Sequence, residues 1–288
     1  MMTREHYTSV EEFCNAPFKL EYNRKRCQDE HWTEHGFIPR AIRSNLGTNW
    51  LGPDNPTIAQ AVDRVLHGWK EGAEKVRHHL AAIEINAPVS VKRKRKRSDQ
   101  GDDLDIHAVY RGDLEHAWTK RQRSHTRARR TVRIVAQCNL LANTNADELF
   151  WRGAAVCKLV DVLSDAGYSV EVIGAIASVR IDHHEHAWLL TFPLKEAESP
   201  LDMEQLAGIA CNSGFHRLYG FRAYYARCDW NRAHIAGTDH SDDSSRLTAA
   251  VNFNADGTQT FTVPYHVGDA TQAQAWLAKC CTEIDNAQ

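Results

Sequence analysis

Val132-Arg133-Ile134-Val135-Ala136-Gln137-Cys138 and, further on, Ser169-Val170-Glu171-Val172-Ile173-Gly174-Ala175-Ile176 carry the strongest architectural signal in the chain. Each is a short apolar run rich in β-branched residues, the signature of a strand buried on both faces. Between them, Asn145 and Glu148 supply a helix start, and Leu149, Ala154, Cys157, Val160 and Leu163 recur at helical spacing as far as Ala166. Gly167 is a helix stop. Strand, helix of about 20 residues and strand make a βαβ unit, so the two strands are expected to lie parallel with a right-handed crossover.

Toward the C-terminus the polar bend Asp182-His183-His184-Glu185-His186 leads into Trp188-Leu189-Leu190-Thr191-Phe192, an antiparallel partner for the second strand. Asp202 and Gln205 cap a second helix carrying Leu206, Ile209 and Ala210. Leu218 to Tyr225 and Leu247 to Phe253 read as further strands, and Asn254-Ala255-Asp256-Gly257 as a hairpin turn into Thr258 to Val263. A last helix is expected over Ala270 to Thr282. No internal repeat is present.

Toward the N-terminus the helical stripe Ile58, Val62, Val65, Leu66, Trp69, Val76 and Leu80 starts behind Thr57 and Gln60 and ends before Pro88. Gly68 and Gly72 mark a break or a close contact in its middle. The first 55 residues are rich in aromatics without a period, so short helices and loops packed on a larger body are expected. Residues 89–103 read as a linker: Lys92 to Arg97 are six consecutive cations, followed by Ser98-Asp99-Gln100-Gly101-Asp102-Asp103. A short helix expected around Leu114 to Trp118 precedes a second basic stretch, Lys120 to Arg130. The division is then an N-terminal helical segment at 1–88, a linker at 89–103 and an α/β domain at 104–288. The expected class is a three-layer α/β fold with a mostly parallel sheet flanked by helices.

Composition narrows the setting. The chain of 288 residues is 42% hydrophobic and 25% charged, enough to bury a full core without staples. No apolar run reaches the roughly 18 residues of a membrane span, and Met1 to His6 hold no secretory apolar stretch. The eight cysteines show no Cys-x-x-Cys spacing, so free thiols in a reducing cytoplasm are the expectation. Net charge is −2, yet Val91 to Arg133 carry an excess of +8, which leaves −10 on the rest.

The order from 131 to 226 resembles the von Willebrand factor A domain. Arg152-Gly153-Ala154-Ala155 and Leu163 to Gly174 carry that likeness. The same stretch, with Gly112 to Trp118 before it, also resembles an uncharacterised family of bacteriophages and mobile elements. The resemblance implies a protein-interaction module of phage or mobile-element origin, sometimes working beside an ATPase of the AAA class or an RNA-binding partner. It departs from the A type at the metal site. That family holds a divalent cation through Asp-x-Ser-x-Ser, whereas Gln137-Cys138-Asn139-Leu140-Leu141 offer no carboxylate and no serine pair.

Candidate sites are few. Asp182, His183, His184 and His186 are metal-ligand types in one tight bend, though a solvated hairpin has the same composition. Asp239-His240-Ser241-Asp242-Asp243 is a second such loop. Cys157 and Cys211 sit on inner helix faces and read as structural thiols. Neither a P-loop nor a dinucleotide-binding glycine motif occurs, and no cofactor is expected. The run Lys92, Arg93, Lys94, Arg95, Lys96 and Arg97 has three readings: phosphate binding, a nuclear address or a solvated linker. Arg121, Arg123, Arg127, Arg129 and Arg130 add to the first. The chain reads as a non-enzymatic binding or assembly protein. The alternatives are a nucleic-acid-binding protein acting through 92–97 and 120–130, and a metal-dependent hydrolase at the His-rich bend.

Overall fold

The two strands of the expected βαβ unit lie side by side and parallel in the structure, a computed structural model. It describes residues 3–16, 31–33, 36–38, 51–55, 57–85, 95–98, 100, 103–121, 130–140, 144–178, 188–220, 223, 248, 251 and 257–286. In chain order the strands are β1 (Thr3–His6), β2 (His31–Thr33), β3 (Gly36–Ile38), β4 (Arg95–Ser98), β5 (Asp103–Leu104), β6 (Trp118–Arg121), β7 (Thr131–Gln137), β8 (Ser169–Ser178), β9 (Trp188–Lys195) and β10 (Gln259–Thr262). The helices are α1 (Val10–Asn15), α2 (Ile58–His67), α3 (Lys70–Ala81), α4 (Ile106–Tyr110), α5 (Ala146–Asp165), α6 (Met203–Ala210) and α7 (Ala270–Asn286).

A mixed, mostly parallel sheet in the order β1-β9-β8-β7-β10 is flanked by helices. β7 and β8 pair from Thr131 opposite Ser169 to Gln137 opposite Ala175. β9 runs antiparallel to β8 with a register shift at Val172/Ile173, and β10 lies parallel to β7. Alternation along β7 sends Val132, Ile134 and Ala136 into the large core and Val135 to a smaller cluster with Ile173, Ala175 and Leu189.

Local signals set the ends of α5. Asn145 accepts a hydrogen bond from the Asp147 N–H at 3.1 Å. At the other end Gly167 takes φ +87°. The Gly167 N–H donates to the Ser164 carbonyl (2.9 Å) and the Tyr168 N–H to the Leu163 carbonyl (3.0 Å), which closes a Schellman motif. Asp202 caps α6 through the Glu204 and Gln205 N–H groups. The long helical stripe at 57–85 is two helices, broken at Gly68 (φ +87°), where the Trp69 N–H donates to the Glu204 carbonyl (2.9 Å).

Several expectations are corrected. The strand foreseen at 218–225 is helical where it is described: His216–Gly220 is a π-helix and Ala223 is helical. Thr248 and Val251, in the second expected strand, are helical too. A short apolar run does not distinguish a buried helix from a buried strand. β10 exists as foreseen but pairs parallel with β7, and residues 254–256 lie outside the described residues.

The N-terminal stretch, expected to be helical, also supplies a strand. β1 is an edge strand parallel to β9, with Thr3 opposite Trp188 and His6 opposite Thr191. One hydrophobic core joins Tyr7, Val10, Phe13, Val65 and Trp69 to Leu190, Phe192, Phe215 and Leu277. The charged stretch at 89–103, read as a linker, contains β4 and the start of β5.

Candidate functional site

β4 and β6 hold the end of the first basic run, Arg95 to Arg97, and the start of the second, Lys120 and Arg121. They pair antiparallel with Arg95 opposite Arg121, Lys96 opposite Lys120 and Arg97 opposite Thr119, and β5 joins the far side of β6. Like charges placed directly opposite in a ladder oppose the pairing, by a few tenths of a kcal/mol up to about 1 kcal/mol per pair. Arg130 is exposed, and its carbonyl accepts from the Ser169 N–H at the entry to β7. Lys92, Arg93, Lys94, Arg123, Arg127 and Arg129 lie outside the described residues.

Asp103 lies in β5 itself, opposite Thr119, while two acids beside the sheet are committed locally. Asp105 caps α4 through the His107 and Ala108 N–H groups. Asp113 accepts from His116 Nδ1 at 2.9 Å, and that hydrogen bond holds its carboxyl below the usual range. The segment joining β5 to β6 exposes apolar surface: Ile106, Tyr110 (85% exposed) and Leu114 (62% exposed). Both basic runs were legible in the sequence but their pairing was not, because the partner strands are joined by a helical excursion.

At the end of β7, Cys138 and Asn139 have structural work. The side chain of Asn139 imitates a strand residue, donating to the Ala177 carbonyl (2.8 Å) and accepting from the Ala177 N–H (2.9 Å). Cys138 is buried with its thiol against the Ala136 carbonyl. The His-rich bend with Asp182, His183, His184 and His186, and the acidic loop Asp239 to Asp243, lie outside the described residues.

A cleft of about 930 Å³ lies between the C-terminal half of α5 and the β9–α6 connection, lined in part by Asp161, Tyr168, Lys195, Glu198 and Asp202. Burial lowers the Lys195 ammonium pKa, but Lys195 donates to the carbonyls of Val170, Glu196 and Ala197, so it works as a clamp on the end of β9. The cysteines among the described residues are buried and equally unavailable. Burial pushes the Cys138 and Cys211 thiols up to about 12 and raises Cys157 and Cys280 as well. A nucleophile or metal ligand needs the thiolate. Accordingly Cys138, Cys157, Cys211 and Cys280 should resist iodoacetamide at pH 8 in the folded protein and react in denaturant. Peptide mapping by mass spectrometry reads this out, and rapid native labelling of Cys157 or Cys211 would contradict their burial.

No curated protein and no solved structure matches the chain. A family model described as a domain of unknown function, DUF7192, matches residues 2–252, from β1 across the basic sheet and beyond β9. The chain therefore belongs to the DUF7192 family.

Proposed function

We propose that the chain is a non-enzymatic binding or assembly protein whose basic sheet holds the phosphate backbone of a nucleic acid. The observation that carries this reading is the register of β4 and β6, which opposes Arg95 to Arg121 and Lys96 to Lys120. The register sets cationic residues from two separate parts of the sequence opposite one another, and a polyanion is the partner that suits such a pairing. Tyr110, on the segment between β5 and β6, offers an exposed ring on which a base can stack. The strand–helix–strand–antiparallel strand–helix order supports the A-type resemblance. On that reading the larger sheet is an assembly module, and the nucleic acid is what it assembles on.

The test is anisotropy with labelled single- and double-stranded oligonucleotides across a salt series. The wild type is compared with a variant carrying Arg95→Gln, Lys96→Gln, Lys120→Gln and Arg121→Gln. Binding should weaken linearly in log salt, and the variant should lose affinity for every sequence alike. Its slope should be shallower by about 0.9 for each duplex phosphate no longer neutralised, or about 0.7 on a single strand. No binding at low salt, or an unchanged slope in a folded variant, would refute the reading.

A further inference from the structure

Arg152 sits in the second turn of α5, 5% exposed, and none of its Nε, Nη1 and Nη2 atoms has a hydrogen-bond partner among the described residues. A guanidinium stays charged at neutral pH and carries five donors in a rigid fork. Buried charges in folded proteins are paired, because an unpaired one forfeits its hydration without return. Burial pushes this group's pKa down from its ordinary value, while Tyr265, Cys211, Cys138 and Glu148 push the other way.

These neighbours come from different elements. Cys138 follows β7, Cys211 follows α6, and Tyr265 follows β10 with its ring centroid 5.6 Å from the Arg152 Cζ. Glu148 is one turn back on α5, the ordinary i,i+4 partner for an arginine. No ion pair joins the two among the described residues, and the Glu148 side chain leans on Gly268, where an added Cβ would come within 2.9 Å of its Cγ. β7 and β10 are parallel neighbours, so their carboxyl ends lie side by side, and α5 and α7, which follow them, pack on each other.

We propose that Arg152 is an anion receptor, taking a small oxyanion, the phosphoryl or carboxylate group of a ligand, between the ends of β7 and β10 with Tyr265 as a wall. The planar fork suits two oxygens of one such group better than it suits chloride. The same fixed positive charge works against a divalent cation at this end of the sheet. The site is independent of the basic sheet.

Thermal unfolding at matched ionic strength, in sodium phosphate, sodium acetate and sodium chloride, tests it on the wild type, Glu148→Gln and Arg152→Met. Phosphate or acetate should raise the Tm of the wild type saturably, by several degrees beyond chloride. Glu148→Gln, which removes a nearby negative charge, should bind the effective anion several-fold more tightly by calorimetry. Arg152→Met should lose the anion-specific rise; should that variant not fold, the Glu148→Gln result decides alone. Whichever of phosphate and acetate acts more strongly identifies the ligand group. Equal responses to all three salts in the wild type and Glu148→Gln would overturn the proposal. So would a phosphate response retained in Arg152→Met, which would place the anion elsewhere.

Discussion

Phe13→Ala should destabilise the whole protein by about 3–5 kcal/mol, the range for deleting a fully buried aromatic side chain. Phe13 belongs to α1, in the stretch read from sequence as short helices and loops packed on a larger body, and it is fully buried. Its ring stacks on Phe192 of β9 (centroids 4.9 Å apart, 29° between planes), meets Tyr7 edge-on at 5.3 Å and touches Phe215 at 5.7 Å. Truncation therefore opens a cavity where the N-terminal stretch, the main sheet and the turn after α6 meet. Backbone bonding ties the same region, since the Tyr7 N–H donates to the Thr191 carbonyl at 2.8 Å. Urea unfolding followed by circular dichroism and tryptophan fluorescence should show one shifted transition on both probes. Two transitions, with only one moved by the substitution, would mean that the N-terminal stretch folds apart from the sheet.

Gly208→Ala should cost about 2–3 kcal/mol, even though alanine is the better helix former by about 1 kcal/mol. Gly208 lies on α6 where that helix crosses α2. A Cβ built there would stand 2.0 Å from the Arg64 carbonyl oxygen and 3.0 Å from its carbon. The obstacle is backbone, so no rotamer relieves it and the helices must separate. Separation strains the bond from the Trp69 N–H to the Glu204 carbonyl, which ties the end of α2 to α6. A chemical melt measures the loss directly. A neutral or stabilising Gly208→Ala would show that α2 and α6 do not approach so closely.

Elements whose instructions are local could be read directly from the residues. The βαβ unit was legible because Val132 to Cys138 and Ser169 to Ile176 are continuous apolar runs, and because Asn145 and Gly167 mark the ends of α5 by the bonds they make there. Gly68 announced its break for the same reason, since a positive φ is a property of one residue.

Other elements owe their form to distant parts of the chain. β1 is Thr3-Arg4-Glu5-His6, polar at every position, and only the free edge of β9 makes it a strand. The charged run at Arg95–Ser98 became β4 because β6 lies beside it, and backbone hydrogen bonds are indifferent to side-chain charge. Leu218 to Gly220 carry the composition of a strand and took a helical path, since burial selects for apolar residues and not for a period. Arg152 is the sharpest case. An arginine on a helix reads as solvated, yet it is buried with the Tyr265 ring from the turn after β10 beside it, a placement that no stretch of sequence around position 152 encodes.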